Sequence, residues 1–430
     1  AKPALALFVC LLLLFNPLFF SLSFSFMTEV HFLLPLFATC IFFSRYIEKE
    51  SYAALAMATL FSIYATLVRQ PGVIIPLSFG LVLLFTSKSW QRKIIGFLPF
   101  ILSYITLKGY YSYLETYQPQ VHKVGGMGDL VVTTLAKTTT NMLEGSSSLL
   151  LYPALFLLPL VVLLLQSVEW KILRGRVAGS LVAWAVLIYL MANLNLFPVG
   201  NILYNLGLGP RLLIGVDLAT NNIKPMLSEG LWGMIDYLAI IGAAGVLLLT
   251  VVNLPLKLAD FQREASIEPN VQIKWSIMLF CGAYFLLMLF IGSLFDRYTL
   301  VLIPFFAILI LPDRYHSSLV GTIAGWMLLI ATASFSVAAT HDYLSWNRAR
   351  KEAFNYVNKD MGIPIAYIDA GFELNGWDRP GPDRYGHESE YSWWFVSKDD
   401  YALSFGEVKG FSKWKSYSYS TMLHPQTDSI

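Results

Sequence analysis

Charge is what this sequence has least of. Asp, Glu, Lys and Arg make up 13% of its 430 residues, against 56% apolar ones, roughly half the charged share of a soluble domain. Such a chain cannot clothe itself in a charged surface, and its solvent is a bilayer. The 30 basic and 28 acidic side chains leave a formal net charge of +2, so nothing in the charge balance points to nucleic acid. Cysteine is scarce as well. Cys10, Cys40 and Cys281 each sit inside an apolar run, which excludes a disulfide framework and any cysteine-based metal spacing and leaves them as small packing residues. No acidic residue precedes Glu29, and the first apolar stretch runs into Asn16-Pro17 with no basic leader or cleavage signal around it. Because the chain opens at Ala1 rather than Met, the expectation is a segment whose true beginning lies upstream.

What the sequence has in abundance is apolar runs, each suited to a membrane that takes about 20 residues to cross. They predict an all-α polytopic bundle of about eleven transmembrane helices. The predicted spans are 3 to 16, 28 to 46, 52 to 68, 72 to 86, 92 to 114, 147 to 166, 177 to 194, 231 to 253, 273 to 293, 298 to 312 and 318 to 337. Residues 1–337 form the membrane domain. From 338 to 430 the chain turns charged, aromatic and rich in Gly and Pro, as a water-exposed, small α/β tail domain should be. That tail is expected to begin as a helical extension and to continue in short strands at Ile365 to Ile368, Tyr391 to Val396 and Tyr401 to Phe405.

Orientation follows from basic residues in alternate loops. Arg45 with Lys49, Lys88 with Arg92 and Lys93, Lys171 with Arg174 and Arg176, Lys257 with Arg263 and Lys274, and then Arg314 mark the cytoplasmic side. The remaining connections, including the loops 115–146 and 195–230 and the tail, face outward. The expected location is therefore a plasma (inner) membrane with the C-terminal tail outside. Residues 128 to 143 predict a surface helix carrying Leu130, Val131, Leu135 and Met142 on one side. The segment 195–230 is read either as a re-entrant loop or as an ordinary connection.

Polar groups beside a hydrocarbon region are costly, so each is a candidate for function. All of those singled out fall on the outward side. Glu29 and His31 stand at the start of a span, where a carboxylate can take a proton from a hydroxyl, hold a divalent cation together with His31, or bind a polar substrate group. The plain alternative is a helix start capped by Thr28, with Glu29 at the positive end of the dipole. Arg69, just ahead of Pro71-Gly72, can grip a phosphate with two N–H groups or snorkel to lipid headgroups. Arg211 follows Gly207-Leu208-Gly209-Pro210, with Asn195, Asn201 and Asn205 nearby. In Asp296-Arg297-Tyr298 the two charges can pair with each other, or Arg297 and Tyr298 can reach a phosphate. The tail segments Gly371 to Trp377 and Tyr391 to Trp394 offer rings for sugar faces, for a lipid interface or for a core.

Several of these segments together resemble a family. NPLFFSLSFSFMTEVHFLLPLF, RQPGVIIPL, FPVGNILYNLGLGP, FDRYTLVLIPF, ATHDYLSWNRARKEAFNYV and IDAGFELNGW are similar to membrane glycosyltransferases of the GT-C superfamily, in its ArnT-like and protein-mannosyltransferase-like group. The resemblance implies transfer of a sugar from a polyprenyl-phosphate carrier to an acceptor at the outer face, with inversion and with the leaving phosphate steadied by Arg or Lys. Lipid, glycan and protein all remain open as acceptor. The resemblance fixes no cofactor and leaves a divalent cation open. Glu29 falls where the family carries its second acidic motif. The family's principal Asp lies in the first external loop, which is expected upstream of Ala1, so the segment alone is expected to be inactive. Arg69, Arg211, Arg297 and Tyr298, with His31, are then the groups for substrate and phosphate. Two other classes compete with this reading. A flippase for lipid-linked sugars would need the same headgroup site but should show related halves, and no such repeat is visible. A non-catalytic scaffold whose tail binds a partner is the third reading, and loss of function in Glu29→Ala without loss of expression would argue against it.

Overall fold

The computed structural model of the chain describes residues 3–117, 139–168, 201–209, 213, 229–253, 268–290, 294–312, 315–316, 318–371, 373–375, 396, 400–408, 410–423 and 428–430. They are helical for the most part. In order these helices are α1 (Pro3–Leu14), α2 (Pro17–Leu22), α3 (Thr28–Lys49), α4 (Tyr52–Val68), α5 (Ile74–Thr86), α6 (Trp90–Tyr117), α7 (Thr139–Leu164), α8 (Glu229–Asn253), α9 (Pro269–Phe290), α10 (Leu302–Ile310) and α11 (Leu319–Asn355).

Among the described residues, six helices are long and apolar enough to cross a membrane: Thr28–Lys49, Trp90–Tyr117, Gly145–Leu164, Gly230–Asn253, Pro269–Phe290 and Leu319–Asp360. Shorter apolar helices cover Pro3–Leu14, Tyr52–Val68 and Gln70–Thr86. The expected count of eleven spans is thus not reproduced by length and composition, and the run 177 to 194 lies outside the described residues. The run 298 to 312 opens in a 3₁₀ turn over Asp296–Val301, where the Thr299 hydroxyl bonds back to the Asp296 carbonyl at 2.6 Å, and continues directly into the nine-residue α10. Nearly all of α10 is buried, so protein rather than lipid surrounds the short element. The expected surface helix at 128 to 143 is described only from residue 139, where α7 already begins.

Two compact units divide the chain: residues 1–199 with 233–332, and residues 200–232 with 333–430. In the first, α3, α4, α5, α9 and α10 share one core, in which Phe43 stacks on Phe79 at 4.7 Å and Phe280 meets Phe305 edge-on at 4.8 Å. With lipid outside there is little hydrophobic drive between helices, and close fit and polar bonds take over. Ser62 and Ser103 bond across α4 and α6 at 2.8 Å, and Gln272 of α9 donates to Thr86 of α5 at 3.0 Å. Gly242 and Gly245 of α8 lie against Ala154 and Val161 of α7 so closely that a Cβ on either would overlap them. The α7 segment Leu149–Leu164 is buried almost throughout, whereas α6 exposes Ile94, Leu98, Ile101, Leu102 and Ile105, side chains whose solvent is hydrocarbon.

In the second unit the core gathers on α11, around Trp346, Ala353 and Phe354, with Ile368, Leu403 and Tyr419 packed over it. Leu213 of the 195–230 segment belongs to this core. The strands are short. β1 (Ile368–Asp369) pairs in parallel with β2 (Tyr401–Ala402), and β3 (Ser418–Tyr419) runs antiparallel to β4 (Asp428–Ser429). The strand expected from Ile365 begins only at Ile368. Pro364 opens a 3₁₀ turn over Ile365–Tyr367, closed by the Tyr367 N–H on the Pro364 carbonyl at 3.0 Å. The strand expected at Tyr401 to Phe405 shortens to Tyr401–Ala402, with Leu403 N–H still reaching the Asp369 carbonyl at 2.8 Å. Residues 391–395 are outside the described set.

Candidate functional site

Three pieces of sequence far apart along the chain meet at the N-terminal end of α3. The loop Ser23 to Met27 delivers the first. Ser23 and Ser25 hydroxyls bond back to the carbonyls of Phe19 and Leu22, at 2.7 and 2.9 Å, which turns the chain into α3. Met27 is the N-cap residue and offers no side-chain cap bond, while Thr28 is already helical. Thr28 therefore does not cap the helix as the plain reading expected. One residue on, Glu29 is 2% exposed.

The second piece is the turn from α4 into α5. Arg69 ends α4 in an extended conformation, and its carbonyl accepts from Gly72 N–H at 2.8 Å. Gly72 lies flat on the last turn of α4: a Cβ there would stand 2.5 Å from the carbonyl carbon of Ala65. Only glycine admits so close an approach of backbone to backbone. The third piece is the 3₁₀ turn Asp296–Val301, held from α9 by the Tyr284 hydroxyl, which donates to the Tyr298 carbonyl at 3.0 Å.

These pieces place Glu29 between two guanidinium groups. Its Oε1 lies 2.5 Å from Arg69 Nη1 and 3.2 Å from Arg297 Nε. The second contact is an ion pair without hydrogen-bond alignment, since Arg297 Nε has no hydrogen-bond partner among the described residues. Glu29 Oε2 is also buried and has no hydrogen-bond partner there. Beneath the charges sits Tyr298, whose ring centre is 5.1 Å from the Arg69 guanidinium and 5.4 Å from that of Arg297. Arg297 also lies over Phe295 at 4.9 Å and approaches the Met27 thioether with Nη1 at 3.4 Å. Asp296 is buried, and its Oδ1 accepts the backbone N–H of Arg297 at 2.6 Å.

The Glu29 carboxylate thus faces two guanidinium groups, and the Asp296 carboxylate is turned to the backbone of the same turn. What the site offers is donors. Each guanidinium carries five N–H groups. Arg69 and Arg297 spend few of them on Glu29, and their side chains remain 19% and 17% exposed. Rings on one side and a carboxylate on the other fix the forks in place. A rigid fork with spare donors suits a phosphate or another oxyanion. The buried Oε2 of Glu29, without a hydrogen-bond partner among the described residues, has acceptor capacity left for a hydroxyl or amine donor.

The outcome for the sequence-derived residues is mixed. Glu29, Arg69, Arg297 and Tyr298 come together. Arg69 turns inward, not out to headgroups, and Arg297 reaches across to Glu29. His31 does not join them. Residues two apart on a helix differ by about 200° around its axis, and His31 is exposed where Glu29 is buried. The pairing of Glu29 with His31 on a cation thus loses its second ligand, and no cluster of three His, Cys, Asp or Glu occurs among the described residues. Arg211 lies outside the described residues. Its neighbours Tyr204–Leu208 form a π-type turn with Gly207 at φ 92°. Sequence reasoning missed Met27, Tyr284 and Phe295. Gly72 had a visible signal in Pro71-Gly72, whereas nothing local marks Tyr284.

Residues 2–109 match the family model described as dolichyl-phosphate-mannose-protein mannosyltransferase. No curated protein and no solved structure matches the chain. The matched part contains Glu29 and Arg69 but not the turn bearing Arg297. The match supports a membrane glycosyltransferase of the GT-C type.

Proposed function

We propose that the cluster at the start of α3 is where a polyprenyl-phosphate-linked sugar is held while the sugar passes to an acceptor on the outer side of a plasma membrane. The observation that carries this reading is the meeting of Glu29, Arg69 and Arg297 over the Tyr298 ring. Buried charge is too costly to assemble from three separate segments without a use for it, or a structural debt it settles. Arg69 and Arg297 bind the phosphate of the donor and stabilise it as the leaving group. Their N–H forks are already oriented, so little reorganisation accompanies the growth of charge on the phosphate oxygens.

In the reaction the acceptor hydroxyl oxygen attacks the anomeric carbon. The bond from that carbon to the phosphate oxygen breaks with inversion, and the electron pair departs with polyprenyl phosphate. Glu29 is the second carboxylate of the family pattern. Its unpartnered Oε2 takes a hydrogen bond from a substrate hydroxyl and orients it. In that pattern the hydroxyl proton goes to an Asp of an external loop, a residue with no counterpart ahead of Glu29 in this sequence.

Binding tests the reading without needing turnover. Radiolabelled polyprenyl-phosphate mannose should bind the purified full chain in nanodiscs. Arg69→Ala and Arg297→Ala should each weaken binding about tenfold to a hundredfold, the range for loss of a hydrogen bond to a charged group, about 1.5–3 kcal/mol. Unchanged affinity in both variants would sink the reading and leave the cluster a structural brace.

A further inference from the structure

The segment from Gly410 to Leu423 in the second unit returns along α11 as a strap tied at several points. Gly410, at φ 85°, and the bond from Phe411 N–H to the Val408 carbonyl at 3.1 Å form the turn that starts it. The Lys415 ammonium sits 3.8 Å from the centre of the Tyr356 ring and 5.0 Å from that of Tyr417. Tyr417 exchanges both backbone hydrogen bonds with Ile430, at 2.8 and 3.0 Å. Ser420 meets Ser345 at 3.5 Å. At the end, the buried Asp342 carboxylate accepts Met422 N–H at 2.7 Å and Leu423 N–H at 3.0 Å.

These ties leave a short tip, Ser412 to Ser416, whose side chains are all exposed. Lys415 is turned in over the two tyrosines, and Trp414, its neighbour, is 76% exposed. An indole presented this way is unusual, because tryptophan normally buries its large face. The turn at Gly410 and the clamp on Lys415 hold it there before anything binds, which reduces the ordering cost of a complex.

The surroundings decide between two kinds of occupant. A lipid interface would use tryptophan at headgroup depth, beside other apolar groups. Trp414 has Ser412, Lys413 and Ser416 next to it along the exposed tip. Its clamp residue Tyr356 lies 16 positions beyond Thr340, where the apolar stretch of α11 ends, about 24 Å further along the helix. An exposed ring face on a tip whose other side chains carry hydroxyl and ammonium groups instead fits the face of a sugar ring, with C–H bonds on the indole and hydroxyls toward the polar neighbours.

We propose that this tip is a glycan-docking site with Trp414 as its stacking platform. That the docked glycan is the acceptor rests on the transfer reading; the docking itself does not.

The test uses the full chain in zwitterionic nanodiscs without any donor lipid, titrated calorimetrically with mannohexaose, cellohexaose and chitohexaose. At least one hexaose should bind the wild type. Trp414→Ala should weaken it at least tenfold, while Trp414→Phe, which keeps a ring face, should stay within about fivefold. Hydrogen exchange of residues 417–423 should be unchanged in both variants, showing that the strap is intact. Failure of every hexaose to bind, or equal binding by Trp414→Ala, overturns the proposal. So does strong quenching of a fluorophore on Trp414→Cys by nitroxide-headgroup lipids, which would seat the tip in a membrane. None of these readouts depends on Arg69 or Arg297, so loss of the transfer reading and loss of this one are distinguishable.

Discussion

Glu29 is loaded on one oxygen, while the other has no hydrogen-bond partner among the described residues, and that asymmetry separates two proposed roles within one side chain. Removing it should hurt folding as well as function. Glu29→Ala leaves Arg69 and Arg297 facing each other without their shared counter-charge, and breaking a buried pair costs about 3–5 kcal/mol. Both arginines keep some contact with solvent, so about 2–3 kcal/mol is expected, with Glu29→Gln losing less. Thermal unfolding in detergent measures it, and an unshifted midpoint for Glu29→Ala would show that the pairing is energetically idle. At this scale the sequence made much of the site legible, since residue type and position at a span end sufficed for Glu29, Arg69, Arg297 and Tyr298. His31 was misread as a partner because its nearness to Glu29 in sequence becomes opposite placement on a helix. Tyr284 was invisible because its contribution is one hydroxyl reaching a carbonyl 14 residues away, and no local pattern encodes such a reach.

Helix packing in this protein depends on where side chains are missing. The α7 and α8 axes approach closely because Gly242 and Gly245 present bare backbone to Ala154 and Val161. Gly242→Leu should destabilise the protein by about 3 kcal/mol or more, beyond the usual 1–3 kcal/mol of an overpacked core, because backbone rather than a movable side chain stands in the way. Gly282 of α9 has open space where its Cβ would go. Gly282→Ala should be neutral or stabilising by up to about 1 kcal/mol, as glycine is the poorer helix former. Equal unfolding midpoints for the two variants would refute this account of the packing. Long apolar runs foretold the helices well, as at Tyr52–Val68 and Thr28–Lys49, because each satisfies its backbone within itself. Hydropathy did not show that the 298 to 312 run starts as a 3₁₀ turn, since the Thr299 bond that accompanies it leaves no apolar pattern. The tail strands were shortened for a similar reason, Pro364 imposing a turn where the apolar pattern alone reads as a strand.

For the whole molecule, α3 separates two chemistries. Glu29 stands in its first turn and Lys49 in its last, about 30 Å apart along the axis. Arg92 closes the Lys49 end by pairing with Glu50 at 2.7 Å and bonding the Ile47 carbonyl at 2.8 Å. The proposed orientation, with basic loops on the cytoplasmic side, puts the Glu29 end outward. In a background where Cys10, Cys40 and Cys281 are replaced by alanine, Phe26→Cys should react with an impermeant maleimide in intact cells. Lys49→Cys should react only after permeabilisation, and the reverse pattern would overturn the assigned orientation.

Hydropathy is additive along a chain, so the sequence by itself determined the bilayer as solvent, the extents of most helices and the ends at which polar residues collect. The tertiary structure alone decided which of those residues touch. An ion pair among positions 29, 69 and 297 exists only once α3, the α4–α5 turn and the turn ahead of α10 have packed together. In the same way, Leu213 joins the tail's core only when the chain folds back on α11. Scarce charge thus named the candidates, and packing chose among them: it kept Glu29, Arg69, Arg297 and Tyr298, and it left His31 outside.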